Sequence, residues 1–266
     1  MKKFLLLCLL LFPVGCSANG PSGPEAAAPK TDSPPVERTN QTRPLKPDHR
    51  MPEPKNTAER NTDIQKAKEK VILDVPITSQ LPELKNGCEV TSLTMLLQYA
   101  GVNIGKMTLA NQLKKDAHPI IENRSGDIKR WGNPNEGFVG DITGKQKGYA
   151  VHVKPLQALM EQYLPGRSLN LTEKPFAMLQ EQIVKGKPAV VWTTAHFSPP
   201  KRWEFWKHGE EQIKGTMELH AVVLVGYDAD HVYLNDPLSG KKAKMVNKAS
   251  FIASWTALGK QALSYR

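Results

Sequence analysis

Leu219-His220-Ala221-Val222-Val223-Leu224-Val225-Gly226-Tyr227 is a nearly unbroken apolar run, and no other stretch of the chain limits the fold as much. β-branched and large apolar residues in so short a run describe a strand in the middle of a sheet. His231-Val232-Tyr233-Leu234-Asn235-Asp236 reads as a second strand, with Asp228-Ala229-Asp230 as turn material between the two. Paired as an antiparallel hairpin centred near Asp228, the strands would set His220 opposite Asp236. A slip in register would still leave both side chains at the same end of the hairpin.

Composition shows how much of the 266-residue chain can join that sheet. Lys2 and Lys3 precede an apolar segment, Phe4 to Phe12, too short to span a bilayer, which is the pattern of an export signal over 1–15. Its end, Pro13-Val14-Gly15-Cys16-Ser17-Ala18, resembles a bacterial lipoprotein signal in which Cys16 would carry lipid. Pro13 stands where such signals usually have Leu, and the alternative is plain secretion with cleavage near Ala18. Residues 16–70 are rich in Pro, Ala, Asn and Thr with little to bury, so they are expected to form a disordered tether. One folded domain is expected over 71–266. The net charge of +10 would permit anionic partners, but the basic residues are dispersed and no nucleic-acid motif accompanies them.

The three cysteines sort by segment: Cys8 within the export signal, Cys16 at its end, and Cys88 alone in the folded part. A mature domain with one thiol has no internal disulfide, so an apolar core must hold it together.

Within 71–266 the pattern is mixed. Val71 to Ile77 reads as a first strand ended by Pro76. After Cys88, residues Val90, Leu93, Leu96, Leu97 and Ala100 follow helical spacing, with Gly101 as the C-terminal stop. Helices are also expected near 108–115, 155–163, 175–185 and 250–258, and a core strand over 187–194. Between His118 and Ala150 periodicity gives way to recurrent glycine, with Trp131 and Phe138 favouring an ordered cover over disorder. A second irregular insertion, 196–215, carries Trp203, Phe205 and Trp206 among basic residues.

Cys88 therefore lies in the first turn of a helix, where the helix dipole favours thiolate. His220 is the candidate base, and Asp236 is the candidate group to fix its tautomer. Gln80, upstream in the same loop, could donate to an oxyanion together with the backbone N–H of Cys88. Glu89 is matched to the helix dipole but would raise the thiol's pKa.

The order Gln80, Cys88, His220, Asp236 resembles that of papain-like cysteine peptidases. The wording around it, Gly87-Cys88-Glu89-Val90-Thr91-Ser92, Gly186-Lys187-Pro188-Ala189-Val190-Val191-Trp192, Leu219-His220-Ala221-Val222 and Asn235-Asp236-Pro237, is similar to the bacteriocin-processing cysteine peptidase family, closest to its stand-alone, peptidase-like branch. The resemblance implies an α+β fold with N-terminal helices packed on a C-terminal antiparallel sheet. It maps Cys88 to the nucleophile, His220 to the base, Asp236 to the orienting acid and Gln80 to the oxyanion donor, with no cofactor. The chain has no transporter segments and Cys88 is followed by Glu rather than Gly, so specificity for paired glycines is not carried over.

Each residue also has a plainer reading: Cys88 as a buried small residue, His220 as a core histidine, Asp236 as a turn residue, and Asn235 as a rival orienter. Trp131 and Trp203 are candidate substrate contacts. His196 and His208 match no metal-binding spacing and one Cys is available, so no metal is expected. The function expected from these residues is hydrolysis of peptide bonds in a peptide or protein substrate by an extracytoplasmic, lipid-anchored monomer. Cleavage of cell-wall peptides by the same residues, and a silent relative that binds peptides, are the alternatives.

Overall fold

The computed structural model describes residues 70–266. The expected export signal with Cys8, the candidate lipidation site Cys16 and all of the expected tether but its last residue lie outside the described residues. Lys70, placed at the end of the tether from composition, instead opens the first strand.

The elements in chain order are β1 (Lys70–Ile72), α1 (Cys88–Tyr99), α2 (Lys106–Gln112), β2 (Lys115–Asp116), β3 (Ile121–Glu122), β4 (Ile128–Arg130), β5 (Phe138–Val139), α3 (Val153–Glu161), β6 (Ser168–Asn170), α4 (Phe176–Val184), β7 (Ala189–Thr194), β8 (Glu204–His208), β9 (Glu211–Gly215), β10 (Leu219–Asp228), β11 (His231–Asp236), β12 (Lys241–Asn247), α5 (Lys248–Ala257) and β13 (Ala262–Tyr265). No helix among the described residues is long and apolar enough to cross a membrane.

The main sheet runs β12-β11-β10-β7-β13-β6, all antiparallel, with β1 added beside the far end of β10. The apolar run that defines β10 is buried from His220 to Tyr227, because helices cover both faces of the sheet. Leu93, Leu96 and Leu97 of α1 and Leu156 and Met160 of α3 pack with Val190, Trp192 and Ala221. Leu179 and Ile183 of α4 and Phe251 and Trp255 of α5 pack with Val191, Val222, Leu224 and Leu234. Successive strand residues thus feed opposite cores, as the pleat requires. The N-terminal helices do pack on the C-terminal sheet, and α4 and α5 add a second layer behind it.

Most of α1 is buried, although its sequence looks amphipathic only in part. Its polar residues are satisfied internally: Thr91 Oγ1 donates to Gly87 O at 2.7 Å, Thr94 Oγ1 to Val90 O at 2.8 Å, and Ser92 Oγ crosses to Ala221 O in β10 at 3.1 Å. The last of these docks the start of α1 against the strand that carries His220.

The hairpin register differs from the symmetric expectation. Val223 pairs with Asn235 and Leu224 with Leu234, then a bulge shifts the ladder so that Gly226 pairs with Tyr233. Continued outward, that register puts Asp236 across from Val222, two residues short of His220. The two residues therefore meet on a diagonal, within reach of long side chains on one face.

The two glycine-rich or aromatic stretches, 118–150 and 196–215, are ordered. They form a four-stranded sheet, β3-β4-β8-β9, and β5 of the first stretch pairs in parallel with β2, which just precedes that stretch. Their core is Trp131, Tyr149 and Trp206, with ring centroids 5.2–6.1 Å apart, and Trp206 Nε1 donates to Gly132 O at 2.8 Å.

Candidate active site

Gln80, Cys88 and His220 line one cavity of about 190 Å3 together with Asn86, Tyr149 and Thr216 among others. Asp236 lies just behind it. Each position follows from a different element. Cys88 is the first residue of α1, and Gly87, the residue before the helix, makes no side-chain cap. Of the first turn, Cys88 alone lines the cavity, and its N–H is the one placed to serve whatever occupies it.

His220 Nε2 lies 2.8 Å from Asp236 Oδ1, and both side chains are buried. Burial alone would raise the Asp236 carboxyl. Hydrogen bonds from His220 and Ser239, the charge of His220 and the Lys244 ammonium at 2.9 Å outweigh it and hold the group well below the usual carboxylate range. An ionised acceptor fixes the tautomer: Nε2 must carry hydrogen, so Nδ1 is the ring atom that can take a proton. The rival orienter is excluded. Asn235 donates to Val75 O and Pro76 O and accepts from Ala243 N, and so serves the packing of β12 and the N-terminal segment.

The sulfur of Cys88 accepts the N–H of Ala221 at 3.3 Å, beside His220 on β10, and its thiol donates to Glu89 Oε2 at 3.3 Å. Burial first, and then the charge of Glu89, push the thiol well above its ordinary pKa; the N–H groups of Ala221 and Cys88 oppose this. Glu89 is itself buried, and burial raises its carboxyl to about 7 despite hydrogen bonds from its own backbone and from Val151 N at 3.1 Å. The resting thiol is accordingly protonated and needs a base. Glu89 is the expected first-turn acidic residue, and it is also a buried strut between Cys88 and residue 151.

Gln80 is buried and donates through Nε2 to Lys85 O at 2.7 Å. An amide nitrogen has two hydrogens, so one remains for a second acceptor. Its Oε1 has no partner, a costly arrangement that marks the side chain as more than filler.

The two tryptophans proposed as substrate contacts do not line this cavity. Trp131 is buried in the Trp131–Tyr149–Trp206 cluster, where it holds the cover together. Trp203 is half-buried beneath the Lys214 ammonium, 4.1 Å from its ring. The cover contributes Gly148 and Tyr149 to the cavity instead, and Tyr149 Oη accepts the N–H of Thr216 at 3.2 Å.

Several residues of the site escaped sequence reading. Ser239 could have been found, since Asp-Pro-Leu-Ser is an Asx-type turn in which the Asp side chain accepts from residues beyond it. Lys244 comes from β12, a strand with no clear pattern of its own. Met217 and Leu238, both substantially exposed at the cavity, gave no signal in sequence.

Comparison with known proteins agrees with this fold. The Peptidase_C39 like family matches residues 72–263. The chain is 39% identical over 193 residues to the uncharacterized protein YvpB of Bacillus subtilis (strain 168), an overlap of 72% of this chain and 74% of YvpB. The crystal structure of a candidate C39-like peptidase from Bacillus anthracis superposes with a TM-score of 0.67 at 43% identity, covering 74% of this chain and 98% of that one. The α+β fold, with its helix-borne cysteine and strand-borne histidine, is papain-like, and the chain belongs to the Peptidase_C39 like family.

Proposed function

We propose that the protein is an extracytoplasmic cysteine peptidase, anchored by lipid at Cys16, that hydrolyses peptide bonds through an acyl-enzyme at Cys88. The observation that carries this reading is the His220–Asp236 pair, 2.8 Å apart and buried, set behind the cavity that holds Cys88 at an uncapped helix start.

The chemistry follows from which atoms are available. His220 Nδ1 takes the Cys88 thiol proton, and Asp236 stabilises the imidazolium without itself being protonated. The thiolate attacks the scissile carbonyl carbon, and the oxygen becomes an oxyanion facing Cys88 N–H and the second Nε2 hydrogen of Gln80. As the C–N bond breaks, His220 returns the proton to the leaving amine. Water then attacks the thioester with His220 as base, releasing the acid and restoring the thiol. Met217 and Leu238, exposed beside the cavity, suit an apolar side chain next to the scissile bond.

The test exposes a peptide library and purified wall peptides to the wild type and to Cys88→Ala. Cleavage of library peptides that is lost in the variant is expected. Cleavage confined to wall peptides would make the protein a wall hydrolase using the same residues, and cleavage of neither would favour a peptide-binding role.

A further inference from the structure

Asp116, His118 and His208 each offer one ligating atom within 4.8 Å of the other two, in a cluster that the chemistry at Cys88 does not use. We propose that this cluster binds a divalent transition ion of the zinc type, which ties the 196–215 insertion to the 118–150 cover that lends Gly148 and Tyr149 to the cavity.

The carboxylate is the buried centre. Asp116 Oδ1 accepts His118 N at 3.0 Å and lies 2.6 Å from His118 Nδ1, while Oδ2 accepts Asn133 N at 2.9 Å and lies 3.7 Å from His208 Nδ1. The two imidazoles meet edge to face with centroids 4.4 Å apart, and the Nε2 of His208 is 3.4 Å from Glu136 Oε1. Two imidazoles and one carboxylate form a mixed nitrogen and oxygen set that suits zinc, iron, nickel or copper rather than magnesium or calcium. Ligands at about 2.1 Å from a tetrahedral ion are roughly 3.4 Å apart, so the cluster closes on one by ring rotations that turn His208 Nδ1 away from Trp131 O, 3.3 Å off. The ion would take the place of the hydrogen at His118 Nδ1, the neutral ring keeping its one hydrogen on Nε2, so that a proton goes to solvent only from a ring that was cationic before binding. Water would complete the coordination, and Glu136 Oε1, facing His208 Nε2, would hold that ring as an outer partner.

Its position gives the ion a structural task. Asp116 ends β2, just before the 118–150 cover, His118 opens that cover, and His208 ends β8, so the ligands join the start of the cover to the 196–215 insertion. These two segments already meet through the β4–β8 pairing, the Trp131–Tyr149–Trp206 cluster and the bonds from Trp131 N to Lys207 O, Trp206 Nε1 to Gly132 O and Asn133 Nδ2 to Glu211 Oε2, and the ion would add a further tie at their outer end. Tyr149 and Thr216, at the inner edge of that joint, line the cavity. No sequence spacing shows the site, because its ligands come from separate strands.

The test titrates the metal-free, untagged mature chain with cobalt(II) and then zinc(II), following cobalt absorption and thermal unfolding. One ion per chain, with an unfolding midpoint raised by several degrees, is expected. Loss of an outer partner alone can weaken a metal site by about tenfold or more, so His118→Ala and His208→Ala should each weaken binding at least that far. Cys88→Ala should leave binding intact. The proposal is overturned by the absence of saturable one-to-one binding, by binding unchanged in His118→Ala, or by binding lost in Cys88→Ala. Should His208→Ala fail to fold, His118→Ala decides, since the His118 ring is largely exposed and its removal opens no core.

Discussion

Cys88 sits between groups that act on it in opposite senses: Ala221 N–H and the helix start favour thiolate, while burial and Glu89 oppose it. Glu89 can be separated from the rest by a conservative change. Glu89→Gln keeps an oxygen for Val151 N–H and removes the charge beside sulfur, so Cys88 should alkylate faster at pH 7 than in the wild type. An unchanged or slower rate would show that Glu89 does not restrain the thiol. The same substitution has a pH signature. Folded Glu89 holds its proton to about 7, whereas the unfolded chain releases it near 4.5, so the folded state binds more protons in between and stability falls as pH rises through that window. Above pH 7 the deficit is on the order of 3 kcal/mol. Denaturant midpoints of the wild type and Glu89→Gln should therefore diverge in favour of the variant between pH 4.5 and 7.5, and a constant gap would refute the assignment.

At the scale of elements, the loop before α1 and the cover are fitted to each other at Gly148. A Cβ there would fall 2.1 Å from Asp141 O and 2.4 Å from Asn86 Nδ2, while Asn86 Nδ2 itself donates to Asp141 O at 2.8 Å. Gly148→Ala must push the cover off the Cys88 loop. A loss of stability of about 1–3 kcal/mol is expected, with lowered peptidase activity, as read by denaturant unfolding and turnover; wild-type values for both would contradict this fit. Elements with strong periodicity were legible in the sequence: α1 from Val90, Leu93, Leu96 and Leu97, and β10 and β11 nearly to the residue. The short strands of the cover, the β8–β9 hairpin and β12 and β13 were not, because strands of a few residues hold no repeat to detect and depend on long-range partners. For the same reason Cys88, His220 and Asp236 were legible through their placement on strong elements. The burial of Glu89 and of Trp131 was not, since each is covered by segments distant in the chain.

For the molecule as a whole, the sheet is a rigid support with helices on both faces, and the cavity lies where the start of α1 meets the end of the β10–β11 hairpin. Under the proposed function, the N-terminal segment would set where that chemistry takes place. If Cys16 carries lipid, Cys16→Ala should move the protein from the membrane to the soluble fraction on partitioning, whereas unaltered partitioning would rule out the anchor.

The central claim is that Cys88, His220 and Asp236 act as one unit, and it is tested most directly by the rate of iodoacetamide alkylation of Cys88 at pH 7 in the wild type and in His220→Ala. Because burial and Glu89 hold the thiol protonated, removal of its base should slow alkylation by about a hundredfold. Equal rates in the two proteins would contradict the account.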